Sequence, residues 1–132
     1  MTTLLPCYVL LDLETTGATP TQDRITEIGL IRYENGTEVG RWNTLINPEV
    51  SISPFIQRLT GITQGMVDHA PTFAQVCETL LQWLDQAVLC AHNVRFDYGF
   101  LKNEFKRIGV TFQKKLLCTV KLSRKLYPQH HS

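Results

Sequence analysis

The spacing of apolar and polar positions changes period several times along the chain, and each change marks an element. Residues 7–13, Cys-Tyr-Val-Leu-Leu-Asp-Leu, are apolar almost without interruption. Such a run keeps no polar side for water and predicts a central strand buried on both faces. Thr15 to Asp23, with Gly17 and Pro20, predicts a loop. Residues 24–34 and 38–46 are two further β-prone runs. Between them stands Asn35-Gly36, a dipeptide suited to the positive φ angles of a tight hairpin, so an antiparallel pair is predicted. Asn47-Pro48 ends it. Residues 48–71 predict only short helical turns, because Pro54, Gly61, Gly65 and Pro71 punctuate them.

The period then becomes helical. Phe73, Val76, Cys77, Leu80, Leu81 and Leu84 line one face of an amphipathic helix, with Thr72 as its N-cap. Residues 88–91 predict a short strand. A second helix follows, with Phe96, Phe100, Leu101, Phe105 and Ile108 inward and Gly109 as its stop. Residues 116–119 predict one more strand, leading into a basic helix that Pro128 terminates. Three strands in hairpin order, then alternating helices and strands, predict a mixed-sheet α/β domain. Its last helix has nothing after it to cover the sheet.

The chain has 132 residues, 43% hydrophobic and 19% charged. That is enough for one core and too little for two, and it excludes a disordered tail. No segment approaches the roughly 18 apolar residues of a membrane span. Asp12 and Glu14 interrupt the first apolar run too early for a signal peptide, so a cytoplasmic protein is expected. Cys7, Cys77, Cys90 and Cys118 form no CxxC pair and sit in apolar stretches, which reads as reduced thiols used as small hydrophobes. Charge is unevenly spread. Residues 1–99 carry 5 basic and 11 acidic side chains, whereas residues 100–132 carry 8 and 1. Such asymmetry suits a polyanion on one face with cations held elsewhere, and it equally suits an ordinary solvated helix face.

Asp12 and Glu14 stand two apart, so on a strand both side chains leave the same face. They lie at the C-terminal end of their run, where open α/β sheets bind ligands. Two carboxylates ~4 Å apart repel by about 4 kcal/mol at an effective dielectric of 20. One must then take a proton, or a cation must sit between them, and hard oxygen ligands suit Mg²⁺ or Mn²⁺. The plainer alternative is a pair of solvated strand-end acids. Residues 91–97, Ala-His-Asn-Val-Arg-Phe-Asp, join the short strand to the second helix. Asp97 falls in that helix's first turn, where the dipole favours an acid. The alternative makes Asp97 a third carboxylate facing Asp12 and Glu14 from a neighbouring strand end.

Asp-Leu-Glu-Thr-Thr-Gly at residues 12–17 resembles the first motif of the DnaQ-like 3′–5′ exonucleases, the DEDD group of the ribonuclease H-like fold. Residues 91–97 with Phe100 and Leu101 resemble the second. Leu45-Ile46-Asn47-Pro48, Leu59-Thr60-Gly61-Ile62-Thr63 and Ala70-Pro71-Thr72-Phe73 resemble the proofreading branch typified by the epsilon subunit of bacterial DNA polymerase III. The likeness runs from about residue 7 to residue 126. It implies a ribonuclease H-like mixed sheet, with antiparallel hairpin strands followed by parallel ones, flanked by helices. It also implies catalytic, metal-holding roles for Asp12, Glu14 and Asp97, with two Mg²⁺ or Mn²⁺ ions hydrolysing a terminal phosphodiester. Leu13, Thr15, Thr16 and Gly17 match the stretch where the family grips the terminal nucleotide. His92 and Phe96 match positions near the substrate strand; a ring such as Phe96 can stack on a base or simply pack in the core.

One part of the family pattern is missing. Its third motif supplies a general-base His and, five residues later, a fourth Asp. After Asp97 this sequence has no Asp, and its only acid is Glu104. His92 and Asp97 are themselves spaced as His-x₄-Asp, but they belong to the second motif. His130 and His131 have no acid downstream and read as a solvated chain end. No general base is therefore found, and residues 1–132 are expected to be an exonuclease domain truncated before that motif, C-terminally incomplete and, as a piece, inactive. The resemblance implies a single-stranded DNA 3′ end as substrate, in proofreading or repair, with a polymerase subunit or a further C-terminal domain as partner. The alternatives are trimming of RNA 3′ ends and a non-catalytic module that holds nucleic acid or a protein partner. No membrane is involved in any of them.

Overall fold

A computed structural model of the chain describes residues 6–118. Its strands are β1 (Cys7–Thr15), β2 (Ile25–Glu34), β3 (Thr37–Leu45), β4 (Val88–Ala91) and β5 (Leu116–Cys118). Its helices are α1 (Pro54–Thr60), α2 (Gln64–Asp68), α3 (Phe73–Leu84) and α4 (Val94–Arg107). The five strands form one sheet in the order β3-β2-β1-β4-β5. β1 pairs antiparallel with β2 and β2 with β3, while β1 with β4 and β4 with β5 are parallel. The hairpin turns where expected: Asn35 and Gly36 have φ of 53° and 82°, both positive as a type I′ turn requires.

Alternation along β1 decides which side is inside. Val9, Leu11 and Leu13 are buried and join Ile25, Ile28 and Leu30 of β2 in the main core. Helices α3 and α4 cover that face with Phe73, Leu80, Leu84, Phe100, Leu101 and Phe105. Tyr8, Leu10, Asp12 and Glu14 point the other way and are half-buried or exposed. The expectation that the first strand is buried on both faces is thus corrected: among the described residues the helices cover one face only. The apolar run reflects two uses of the strand, core packing on one side and, on the other, a tyrosine stack of Tyr8 on Tyr33 with ring centroids 4.9 Å apart.

The segment read as irregular contains a second, smaller core of Ile52, Ile62 and Val67. Pro54 and Gly61 act there as punctuation. Ser53 caps α1 by accepting the Ile56 N–H at 3.2 Å, Pro54 occupies the first turn, and Gly61 closes the helix at φ 77°. Helix α3 spans the predicted residues. Cys7, Cys77 and Cys90 carry free thiols, and burial pushes the Cys90 pKa up to about 11, which leaves that thiol inert. The basic helix expected before Pro128 and Thr119 of the last strand lie outside the described residues. No helix among those described is long and apolar enough to cross a membrane.

Candidate functional site

Parallel pairing of Leu10 with Cys90 brings the C-terminal ends of β1 and β4 side by side. Two residues beyond these partners stand Asp12 and His92, and the chain then turns into α4. Between the two strand ends lies a cleft of ≈ 470 Å³, lined among others by Leu10, Asp12, Ala91, His92, Phe96 and Asp97. Asp12 and His92 are exposed to it and Phe96 is half-buried. The Phe96 ring also tilts against Phe100 with centroids 4.9 Å apart, so it packs and lines the cleft at once.

Glu14 leaves the same face of β1 as Asp12. Opposite Asp12 is Gly29, and opposite Glu14 is Glu27. Burial, then Asp12, then Glu27 raise the Glu14 pKa above its ordinary value. Asp97 is 8% exposed, near the start of α4, where its N–H donates to Asn93 O at 3.3 Å. A helix start ordinarily favours the ionised acid. Here burial dominates, and with the charges of Asp12 and Glu14 it pushes Asp97 up to about 7. Three acids from two elements therefore share one field.

Leu13 contributes differently. Its side chain is buried in the core, so only its backbone faces the cleft. Thr15, Thr16 and Gly17 are not among the residues lining the cleft; Thr15 ends β1, and Thr16 and Gly17 begin the loop beyond it. Thr15 Oγ1 donates to Gly17 O at 2.6 Å, and Thr16 Oγ1 donates to Asp23 Oδ1 at 3.1 Å. A side chain on Gly17 would run into the Asp23 carboxylate, which explains glycine at that place. Pattern reading did not identify Glu27 or the Arg24–Glu104 pair, in which Arg24 Nη2 donates to Glu104 Oε1 at 2.8 Å. For Glu27 the period-two spacing was available, but the register that sets it against Glu14 was not.

Among the described residues no three His, Cys, Asp or Glu side chains are grouped so that they could hold a metal ion as they stand. The donor chemistry nevertheless fits a hard divalent cation, because Asp12, Glu14 and Asp97 offer only carboxylate oxygen, and burial with the charges of the other two raises Asp97 to near neutrality when no cation offsets them.

Comparison with known proteins gives a consistent picture. The family model described as Exonuclease matches residues 9–132. Over 120 residues the chain is 42% identical to a DNA polymerase III of PolC type from Caldanaerobacter subterraneus subsp. tengcongensis, covering 91% of this chain and 9% of that protein. It is 42% identical over 123 residues to the 3′-5′ exonuclease DinG of Bacillus subtilis, covering 92% of this chain and 13% of that one. The chain thus spans about a tenth of the length of these curated relatives. Among solved structures, product-bound exonuclease I superposes with a TM-score of 0.82 at 20% identity, over 98% of this chain and 34% of that chain. Exonuclease X in complex with 5′-overhanging duplex DNA superposes with a TM-score of 0.67 at 27% identity, over 94% and 66% respectively.

Proposed function

From the premise that this chain belongs to the exonuclease family, in its DnaQ-like DEDD group with a ribonuclease H-like fold, we propose that it is a 3′–5′ exonuclease domain acting on single-stranded DNA ends in proofreading or repair. The observation that carries the reading is the convergence of Asp12, Glu14 and Asp97 at two neighbouring strand ends, where burial, together with the charges of the other two acids, raises Asp97 to about 7. Exonucleases of this fold generally use divalent metals. In this chain Asp12, Glu14 and Asp97 would hold Mg²⁺ or Mn²⁺ as a two-ion site. Such ions, when bound, lower the pKa of an attacking water and stabilise charge on a leaving oxygen.

The remaining residues bind and orient. Thr15, Thr16 and Gly17, with the Leu13 backbone, would grip the terminal nucleotide, and His92 and Phe96 would lie along the strand. Phe96 offers a ring that stacks on any base without reading it. The exonuclease and polymerase relatives support DNA over RNA and a polymerase as partner. No residue of the 132 is assigned as general base, since no His-x₄-Asp motif with a fourth acid follows Asp97 in the sequence.

Mn²⁺ titration by calorimetry, beside shortening of a 3′-labelled oligonucleotide by the full protein, tests this. Asp12→Ala is expected to abolish Mn²⁺-dependent shortening and to weaken Mn²⁺ binding while the fold persists. Full activity in that variant would sink the metal-site reading, and shortening of RNA alone would overturn the choice of DNA.

A further inference from the structure

Glu104 is 1% exposed and lies two turns along α4 from Asp97. Its carboxylate accepts from Arg24 Nε at 3.1 and 3.0 Å, from Arg24 Nη2 at 2.8 Å and from the Ile25 N–H at 2.9 Å. A buried charge needs such partners, yet stability alone does not explain the choice, because well-packed apolar residues do as well as a buried ion pair or better. What distinguishes this pair is the backbone of Arg24. Thr16 N–H donates to Arg24 O at 2.8 Å, and Arg24 N–H donates back to Thr16 Oγ1 at 3.0 Å. From the next turn of α4, Arg107 Nη2 donates to Pro20 O at 3.0 Å. One helix therefore carries Asp97 at its start and, two turns later, the group that holds the loop following Asp12 and Glu14.

We propose that Glu104 is a positioning residue that acts through Arg24 to set Thr16, and so the nucleotide-gripping turn, relative to the three acids. The proposal rests on the exonuclease reading above. It requires the carboxylate, whereas a merely structural role would be met by any side chain that fills the space.

The test uses the full protein with Glu104→Gln, which keeps the volume and removes the charge. The KM for a single-stranded oligonucleotide is expected to rise about tenfold with kcat little changed, the mark of lost binding rather than lost chemistry. Hydrogen exchange at the Thr16 and Arg24 amides should accelerate, while the β1–β2 amides from Leu11 to Leu13 keep their protection. Arg24→Lys should reproduce both effects, and the double variant should be no worse than either alone. Arg24→Lys by itself carries the test if Glu104→Gln fails to fold. Unchanged KM and unchanged Thr16 exchange in a folded variant would overturn the proposal, as would exchange that accelerates uniformly across the sheet. If the wild-type protein shortens no oligonucleotide, the exonuclease reading has failed, and Thr16 exchange alone decides whether Glu104 sets the loop.

Discussion

Asp97 holds its proton to about 7 in the folded chain, well above the ordinary 3.8. The folded state therefore binds that proton more tightly than the unfolded state does. Stability contributed this way is present below about pH 4 and is lost as pH rises towards 7. In EDTA, thermal melts should show a midpoint that falls across this window. Asp97→Asn should flatten the profile and stabilise the protein at pH 8 by about 2 kcal/mol, a figure reduced from the full shift because relaxation and water entry soften such penalties. With Mn²⁺ added, the wild type should gain stability at pH 8 and the variant should not. The raised Glu14 adds to the same slope. At this scale the sequence was informative wherever chemistry depends on near neighbours. Asp12 and Glu14 share a strand face because two residues make one period. Glu104 looked like a spare acid, because its partner Arg24 lies 80 positions away and no local period connects them.

Elements were legible when their own side chains defined them. The spacing from Phe73 to Leu84 already describes α3, and Asn35-Gly36 already describes the hairpin. Helix α1 falls where only short helical turns are predicted, and Ser53, Pro54 and Gly61 are the start and stop signals that give it bounds. With only seven residues, it shows too little period to fix its bounds, and Ile56 packs against Ile52, Ile62 and Val67, which lie outside the helix. Helix α4 is fastened more firmly. Phe105 meets Phe73 edge-on with centroids 4.9 Å apart and stacks on Phe112 at 4.6 Å. Phe105→Ala should cost about 3–5 kcal/mol by denaturant titration, through lost burial and the cavity left behind. Ser53→Ala, on the exposed α1, should cost only ~1 kcal/mol.

Over the whole molecule the hairpin order β3-β2-β1 follows from chain adjacency, but the placing of β4 against β1 does not. Val88–Ala91, half-buried at Val88 and buried at the other three, carry no mark in their own side chains of which strand they will join. Charge is the other property of this scale, since the basic residues gather after residue 99. Lys121→Ala with Arg124→Ala should weaken single-strand binding and reduce its salt slope by about 1.4, roughly 0.7 for each phosphate contact removed. A change in affinity without a change in slope would return both residues to a solvated face. The junction of β1 and β4 also has a consequence in time. Asp12 and Asp97 meet only through that pairing, and 85 positions separate them in the chain. At ribosomal speeds of about 5–20 residues per second, the first two acids are synthesised roughly 4–17 seconds before the third. Throughout that interval the proposed three-acid cation site cannot assemble, because one of its two strand ends does not yet exist.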